Sequence, residues 1–374
     1  MDFSFTDEQQ AIAELAKQIM RDKATPERMT DLEKSAGPRF DVELWRELAT
    51  AGVLGIAIPE AYGGAGMGFF ELSLIAEQVG LTTAPIPFIE TAVMAALPIE
   101  KFGSEAQKQE VLPRIVEGDA ILTAALVEEG ADPNVPETRA TAVADGFKLS
   151  GTKICVPAGV LAERVLVPAT TEAGALGIFI VDPSSAGCIV IALDTTSGQP
   201  EAQLEFDEVH VAADQQLGDF DRGAEILNFI TEHTNSALCS VSLGVCEEAL
   251  RLTSEYIKGR EQFGVSIATF QAVGQRAADA FIDTEGIRLT SWQAAWRLSE
   301  GLPAASQIAT AKIWAAEAGH RIVHTATHLH GGIGVDKDYS LFRYFTYAKQ
   351  LGLTLGGPTS HLIKLGKMLA AGTA

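Results

Sequence analysis

The spacing of apolar residues changes character twice along this chain, from helical to extended near residue 121 and back to helical near residue 221. A period near 3.6 marks a helix face and a period of two marks a strand, so the chain must assemble three successive textures. In the first, Thr6 and Gln9 make a capping box ahead of Ile12, Leu15, Ala16 and Ile19. A second helix is expected over 42–51, and another carrying Leu72, Ile75 and Val79 follows the glycine-rich loop at 59–68. Short β-branched runs at 164–168, 177–181, 188–193 and 208–212, broken by Gly, Pro, Asp and Ser, predict strands. Helical spacing then returns through Leu243, Cys246, Leu250, Ala280, Ile287 and Trp292. The expected class is a multidomain α+β fold: an N-terminal helical domain over 1–120, a middle antiparallel β domain over 121–220, and a C-terminal four-helix bundle over 221–374.

With 374 residues the chain can bury a sizeable core in two or three units. No stretch approaches the roughly 18 consecutive apolar residues of a membrane span. The acidic, polar residues 1–10 lack the basic patch and apolar run of a secretory signal, so a cytoplasmic protein is expected. The net charge of −21 repels a phosphate backbone and argues against nucleic acid. The four cysteines form no CxxC pair, and Cys239 and Cys246, seven apart, share one helix face as small apolar residues.

Several generic chemistries drop out. The loop PEAYGGAGMG follows no strand and lacks a phosphate-loop lysine, which leaves it an interhelical connection. No G-x-S-x-G elbow is present. His320, His324 and His328 repeat at every fourth residue on one helix face, but without an HExxH glutamate or a further ligand no metal site is expected. Helix packing near a cofactor is the reading for His320 and His324.

Two segments carry a family likeness. REQFG at 260–264 with TFQAVGQRAAD at 269–279, and HLHGGIGV at 328–335, resemble motifs of the acyl-CoA dehydrogenases, and the likeness extends over nearly the whole chain. The resemblance implies FAD, with Arg260, Gln262, Phe263, Gln271, His328, Gly331 and Gly332 gripping the ADP half of a neighbouring subunit's cofactor. The residue types suit that task. A guanidinium can bind a pyrophosphate in bidentate fashion, an aromatic ring offers a face to adenine, and glycines let backbone approach phosphate.

The family removes an α-proton with a glutamate while the flavin takes the β-hydride. At the two positions where the resemblance places that base, this chain has Gly356 and Thr234. Glu232 lies roughly 200° around the helix from Thr234 and faces elsewhere. The family's flavin-facing hydroxyls are lost as well: Val127 and Pro133 replace a threonine and a serine, and Cys155 and Pro157 stand in the segment of the aromatic wall.

This pattern is similar to the glutamate-lacking subunit of actinobacterial α2β2 acyl-CoA dehydrogenases acting on sterol side-chain thioesters. It implies a homologous catalytic partner that binds most of the acyl-CoA, with electron-transfer flavoprotein as acceptor. Two other readings stay open: a self-sufficient homotetramer with a displaced base such as Glu232, and a flavin-free scaffold or acyl-CoA binder.

Overall fold

The computed structural model describes residues 4–372; the start of the acidic N-terminal stretch, residues 1–3, lies outside them. Helix α1 (Asp7–Lys23) begins at the Thr6–Gln9 capping box and buries Ala16, Ile19 and Met20. Helix α2 (Pro26–Lys34) follows at once, opened by Pro26 at its first position with the Thr25 hydroxyl accepting from Arg28 N–H at 3.2 Å. Helices α3 (Val42–Thr50) and α4 (Phe69–Thr82) flank the glycine-rich loop, which folds back on itself through backbone bonds such as Gly66 N–H to Ile58 O at 2.8 Å. A π-helical segment (Ile89–Ala96), α5 (Leu97–Phe102) and α6 (Glu105–Val116) complete the first helical run.

The strands are β1 (Leu122–Ala124), β2 (Arg139–Val143), β3 (Gly146–Pro157), β4 (Arg164–Thr171), β5 (Leu176–Val181), β6 (Cys188–Leu193) and β7 (Glu201–Ala212). They form one seven-stranded sheet in the order β1-β4-β2-β3-β7-β6, with β5 also on β4. Most neighbours are antiparallel, as expected, but β4 pairs in parallel with both β1 and β2. Those two strands reach β4 through long excursions rather than tight hairpins, which is the condition parallel pairing needs. Phe179, Phe206, Val165, Leu204 and Val209 fill the core of the sheet.

Helices α7 (Gly223–Gly259), α8 (Gln271–Ser299), α9 (Ala305–His330), α10 (Leu341–Leu353) and α11 (Pro358–Ala371) make up the last segment, one helix more than a four-helix bundle. Between α7 and α8 lies a small hairpin, β8 (Glu261–Gln262) and β9 (Val265–Ser266). Cys239 and Cys246 are fully buried beside Leu243, Ile287, Ala311 and Ala315, so they act as small core residues. The α4–α7 crossing is close enough that a Cβ on Gly80 would fall 1.9 Å from Val241 O, and one on Gly244 2.0 Å from Glu77 O. Only glycine permits that approach.

By packing, the chain divides into two compact units. One joins the residues up to Thr30, Phe69–Ala84 and everything from Asn235 onward; the other joins Asp31–Gly68 with Pro85–Thr234. The three textures of the sequence are therefore interleaved in packing, because α1 and α4 bury their apolar faces with the C-terminal helices. Among the described residues no helix is long and apolar enough to cross a membrane.

Candidate functional site

Arg260 directly follows α7, its N–H bonded to Tyr256 O and its carbonyl accepting from Ile267 N–H at 2.9 Å. The bond to Ile267 closes the base of the β8–β9 hairpin, whose two-residue tip is Phe263 and Gly264 at φ 56° and 79°. A tip with two positive φ values matches the twist of paired strands, but a bulky residue there is strained. Phe263 is nevertheless 92% exposed, touching Phe270 edge-on at 6.2 Å between centroids. An aromatic ring held in a costly conformation and left in solvent takes no part in the core. Gln262 and Gln271, the latter the first residue of α8, are exposed too.

On the other side, α9 ends at His330, and Gly331 turns the chain at φ 66°, ψ −138°. A Cβ on Gly331 or Gly332 would meet no atom within 4 Å, so the backbone here is open to an approaching group. What ties this turn to the hairpin is a contact the sequence gave no reason to single out. His330 stacks on Tyr256 with centroids 4.3 Å apart, its Nδ1 lies 2.8 Å from Ala326 O, and its Nε2 lies 3.1 Å from the Tyr339 hydroxyl. Tyr256 is four residues before Arg260 and His330 is one before Gly331, so the stack links the two motif segments. Burial holds the His330 imidazole below its ordinary pKa.

His328 is exposed and lines a groove of about 930 Å³ between α8 and α9, with Gln275, Arg276, Asp279, His320 and His324. His320 and His324 line this groove with rings 4.1 Å apart, and His324 also packs edge-on against Phe345 of α10 at 4.9 Å, the interhelical packing expected of it. The opposite face of α9 carries Ala311, Ala315, Ala318 and Ile322 and takes the core position. No group of three His, Cys, Asp or Glu among the described residues could hold a metal ion. The donor set of guanidinium, amide, imidazole and open glycine backbone, with one exposed aromatic ring, fits the phosphates and adenine of a dinucleotide.

Neither Gly356 nor Thr234 carries a carboxylate. Leu355 and Gly356 lie at φ 54° and 104°. Behind them His361 is 5% exposed, with Nε2 3.2 Å from Leu355 O. A carbonyl only accepts, so Nε2 carries the proton and the buried Nδ1 is left without a hydrogen-bond partner. Burial, assisted by the Lys312 charge, pushes the His361 pKa down to about 4. A Cβ on Gly356 would come within 3.3 Å of that Nε2 and of Ser360 Cβ. Thr234 is 1% exposed, and its hydroxyl has no partner. Glu232 is half-buried on α7.

In the sheet, Cys155 is exposed at φ 49°, in an irregularity of the β3–β7 register between Lys153 and Val156. Val127 is tied by its carbonyl to Ile154 N–H at 2.9 Å, while Pro133 stands in the loop that follows. That loop hangs on a buried ion pair. Glu128 accepts from Lys153 Nζ at 2.5 Å, from the Thr138 hydroxyl at 2.6 Å, and from the Glu137 and Thr138 N–H groups. Burial works against ionisation of Glu128, yet the Lys153 and Thr138 bonds hold its pKa below the ordinary value.

Comparison with known proteins gives a consistent result. The model of the acyl-CoA dehydrogenase N-terminal domain matches residues 6–119, and that of the C-terminal domain matches residues 221–365. Acyl-CoA dehydrogenase FadE27 of Mycobacterium tuberculosis is 40% identical, with 99% of each chain covered. A chain of the ChsE4-ChsE5 complex from the same species superposes with a TM-score of 0.94 at 41% identity, covering 99% of both chains. A chain of the Tcur3481-Tcur3483 steroid ACAD does so with a TM-score of 0.91 at 41% identity, covering 98% of both.

Proposed function

Because the chain belongs to the acyl-CoA dehydrogenase family, we propose that it is the subunit of an FAD-dependent complex that lacks the base and completes the cofactor site of a homologous catalytic partner. The observation that carries this reading is the contrast between its two ends of chemistry. The base positions are Gly356, backed by His361, and Thr234, whereas Arg260, Phe263, Gly331 and Gly332 remain exposed and sterically open. When bound, FAD supplies the hydride acceptor for α,β-dehydrogenation of a CoA thioester. In this chain Arg260 binds the pyrophosphate, Phe263 covers the adenine, and Gln262, Gln271 and His328 hydrogen-bond the remaining polar edges. Gly331 and Gly332 admit the phosphates without a side chain in the way.

The partner supplies the glutamate and most of the acyl-CoA cavity, in an α2β2 assembly, and electron-transfer flavoprotein takes the electrons. Substrates are CoA thioesters of sterol side chains, a reading supported by likeness to a solved steroid ACAD. Expression with and without a candidate glutamate-bearing member of the family tests the proposal. Flavin and dehydrogenation appearing only in the co-purified complex, with Arg260→Ala lowering its FAD content, is the expected result. A yellow, active oligomer of this chain alone would overturn it.

A further inference from the structure

We propose that the free edge of β6 is a docking surface for a partner protein, which adds an extended, apolar segment bearing lysine or arginine as a further strand of the sheet. β6 ends the strand order on one side, so among the described residues its outer row of N–H and C=O groups has no strand beside it. Such an edge is ordinarily blunted by a charge, a proline or a bulge within the strand. The run CIVIAL at 188–193 contains no charged residue and no proline, and its register with β7 is unbroken from Cys188 to Leu193.

The burial of β6 departs from that of a strand covered on one side. Successive side chains point to opposite faces, so such a strand buries every second residue, as β7 does with Ala202, Leu204 and Phe206. In β6, Ile189, Val190 and Ile191 are 54%, 37% and 41% exposed. Their cross-strand partners divide them between the faces: Ile189 and Ile191 stand beside Glu205 and Gln203, and Val190 stands beside Leu204 on the core face. Three consecutive β-branched residues are therefore open on both faces of the sheet, and an added strand covers all three while its main chain satisfies the edge.

Charge selects the partner. Between Arg164 and Arg222 the chain carries ten carboxylates and no lysine or arginine. Lys148 and Arg164, on neighbouring strands, are already paired with Glu208 at 2.9 Å and Asp182 at 3.2 Å. Glu205 accepts from the Gln203 amide at 2.7 Å, and Asp207, whose N–H is bonded to Gly187 O just before β6, is exposed. Neither carboxylate makes an ion pair among the described residues. A segment with lysine or arginine beside its apolar residues complements them. A second copy of this chain would bring an equally acidic strip to the edge, so like-charge repulsion opposes self-pairing.

Fluorescence anisotropy of a labelled peptide tests the proposal on the full chain in the form in which it purifies. The probe is a short peptide of alternating valine and threonine with lysines at both ends, and its counterpart ends in glutamates. Saturable binding of the lysine peptide is expected, with the glutamate peptide at least about tenfold weaker. Ile191→Lys, at an exposed position, should weaken binding by about tenfold or more. Glu205→Gln should weaken it by about threefold, with a shallower salt dependence. Thermal midpoint and flavin content should stay at the parent values in both variants, which separates loss of the surface from loss of the fold. No residue proposed to hold the cofactor lies on β6 or β7, so the result does not depend on that reading. Absence of saturable binding, equal binding of the two peptides, or unchanged affinity in Ile191→Lys would overturn the proposal, as would self-association of the chain that Ile191→Lys abolishes.

Discussion

The His330 imidazole lies on the Tyr256 ring at 4.3 Å between centroids and 24° between planes, joining the end of α9 to the end of α7. Each ring leads by a few residues into one half of the candidate cofactor site, so the stack sets the spacing between Arg260 and the Gly331–Gly332 turn. Neither aromatic residue is itself exposed for a ligand; both act by positioning.

Replacing His330 by Ala removes this stack and the bonds to Ala326 O and the Tyr339 hydroxyl. A loss of about 2 to 3 kcal/mol in stability is expected from the buried hydrogen bonds and the ring pair together. Flavin content of the purified complex should fall as well, whereas Tyr256→Phe, which keeps the ring, should retain both. Thermal melts and flavin absorbance measure the two effects; normal flavin content in His330→Ala would contradict the positioning role.

Phe263 should show a trade between stability and binding. Phe263→Gly relieves a bulky residue at φ 56° and should stabilise the chain by about 1 kcal/mol. The same change removes the ring proposed to cover adenine, so FAD dissociation should quicken. A denaturant melt and a flavin-release assay on one variant suffice, and opposite signs are expected.

Restoring the glutamate alone should not create a second active site. Gly356→Glu places a Cβ 3.3 Å from His361 Nε2 on a backbone at φ 104°, and should destabilise by about 1 to 3 kcal/mol. Turnover per complex should stay at the parent value in a steady-state assay. A doubling of turnover would show that the site is complete apart from the carboxylate.

Acid should weaken this chain through His361 and His233. Both are held near pKa 4, mainly by burial, against an ordinary value of 6.5. An unfolded chain therefore binds more protons between those values, so stability is full above about pH 6.5 and is lost as pH falls toward 4. His361 alone contributes about 3 kcal/mol at most over that window. Urea midpoints of His361→Gln and the parent, compared at pH 7 and pH 4.5, should converge on acidification.

Glu77 acts in the opposite direction. Burial, then repulsion from Glu247, raises its pKa to about 7 despite Arg288 and the Trp292 indole. Its stabilising effect is complete below the ordinary carboxylate pKa of 4.5 and is lost as pH rises through 7. Glu77→Gln should therefore be more stable than the parent at pH 8.5, by about 1 to 3 kcal/mol, and close to it at pH 5. Equal stability at both pH values would contradict the raised pKa.

Much of this protein is local in origin and could be read from the chain itself. The Thr6–Gln9 cap, the helical spacing of Leu243, Cys246 and Ile287, and the β-branched runs at β4 to β7 depend on neighbours a few residues away. The REQFG and GGIG segments and the absence of a carboxylate at 356 and 234 depend only on residue identity. Tertiary structure alone decided what those residues meet. The parallel pairing of β4, the union of α1 and α4 with the C-terminal helices, the Tyr256–His330 stack and the Glu128–Lys153 pair all join groups distant in sequence. Such contacts form because burying apolar area and pairing the enclosed charges outweigh the entropy of closing long loops, a balance that no local pattern encodes.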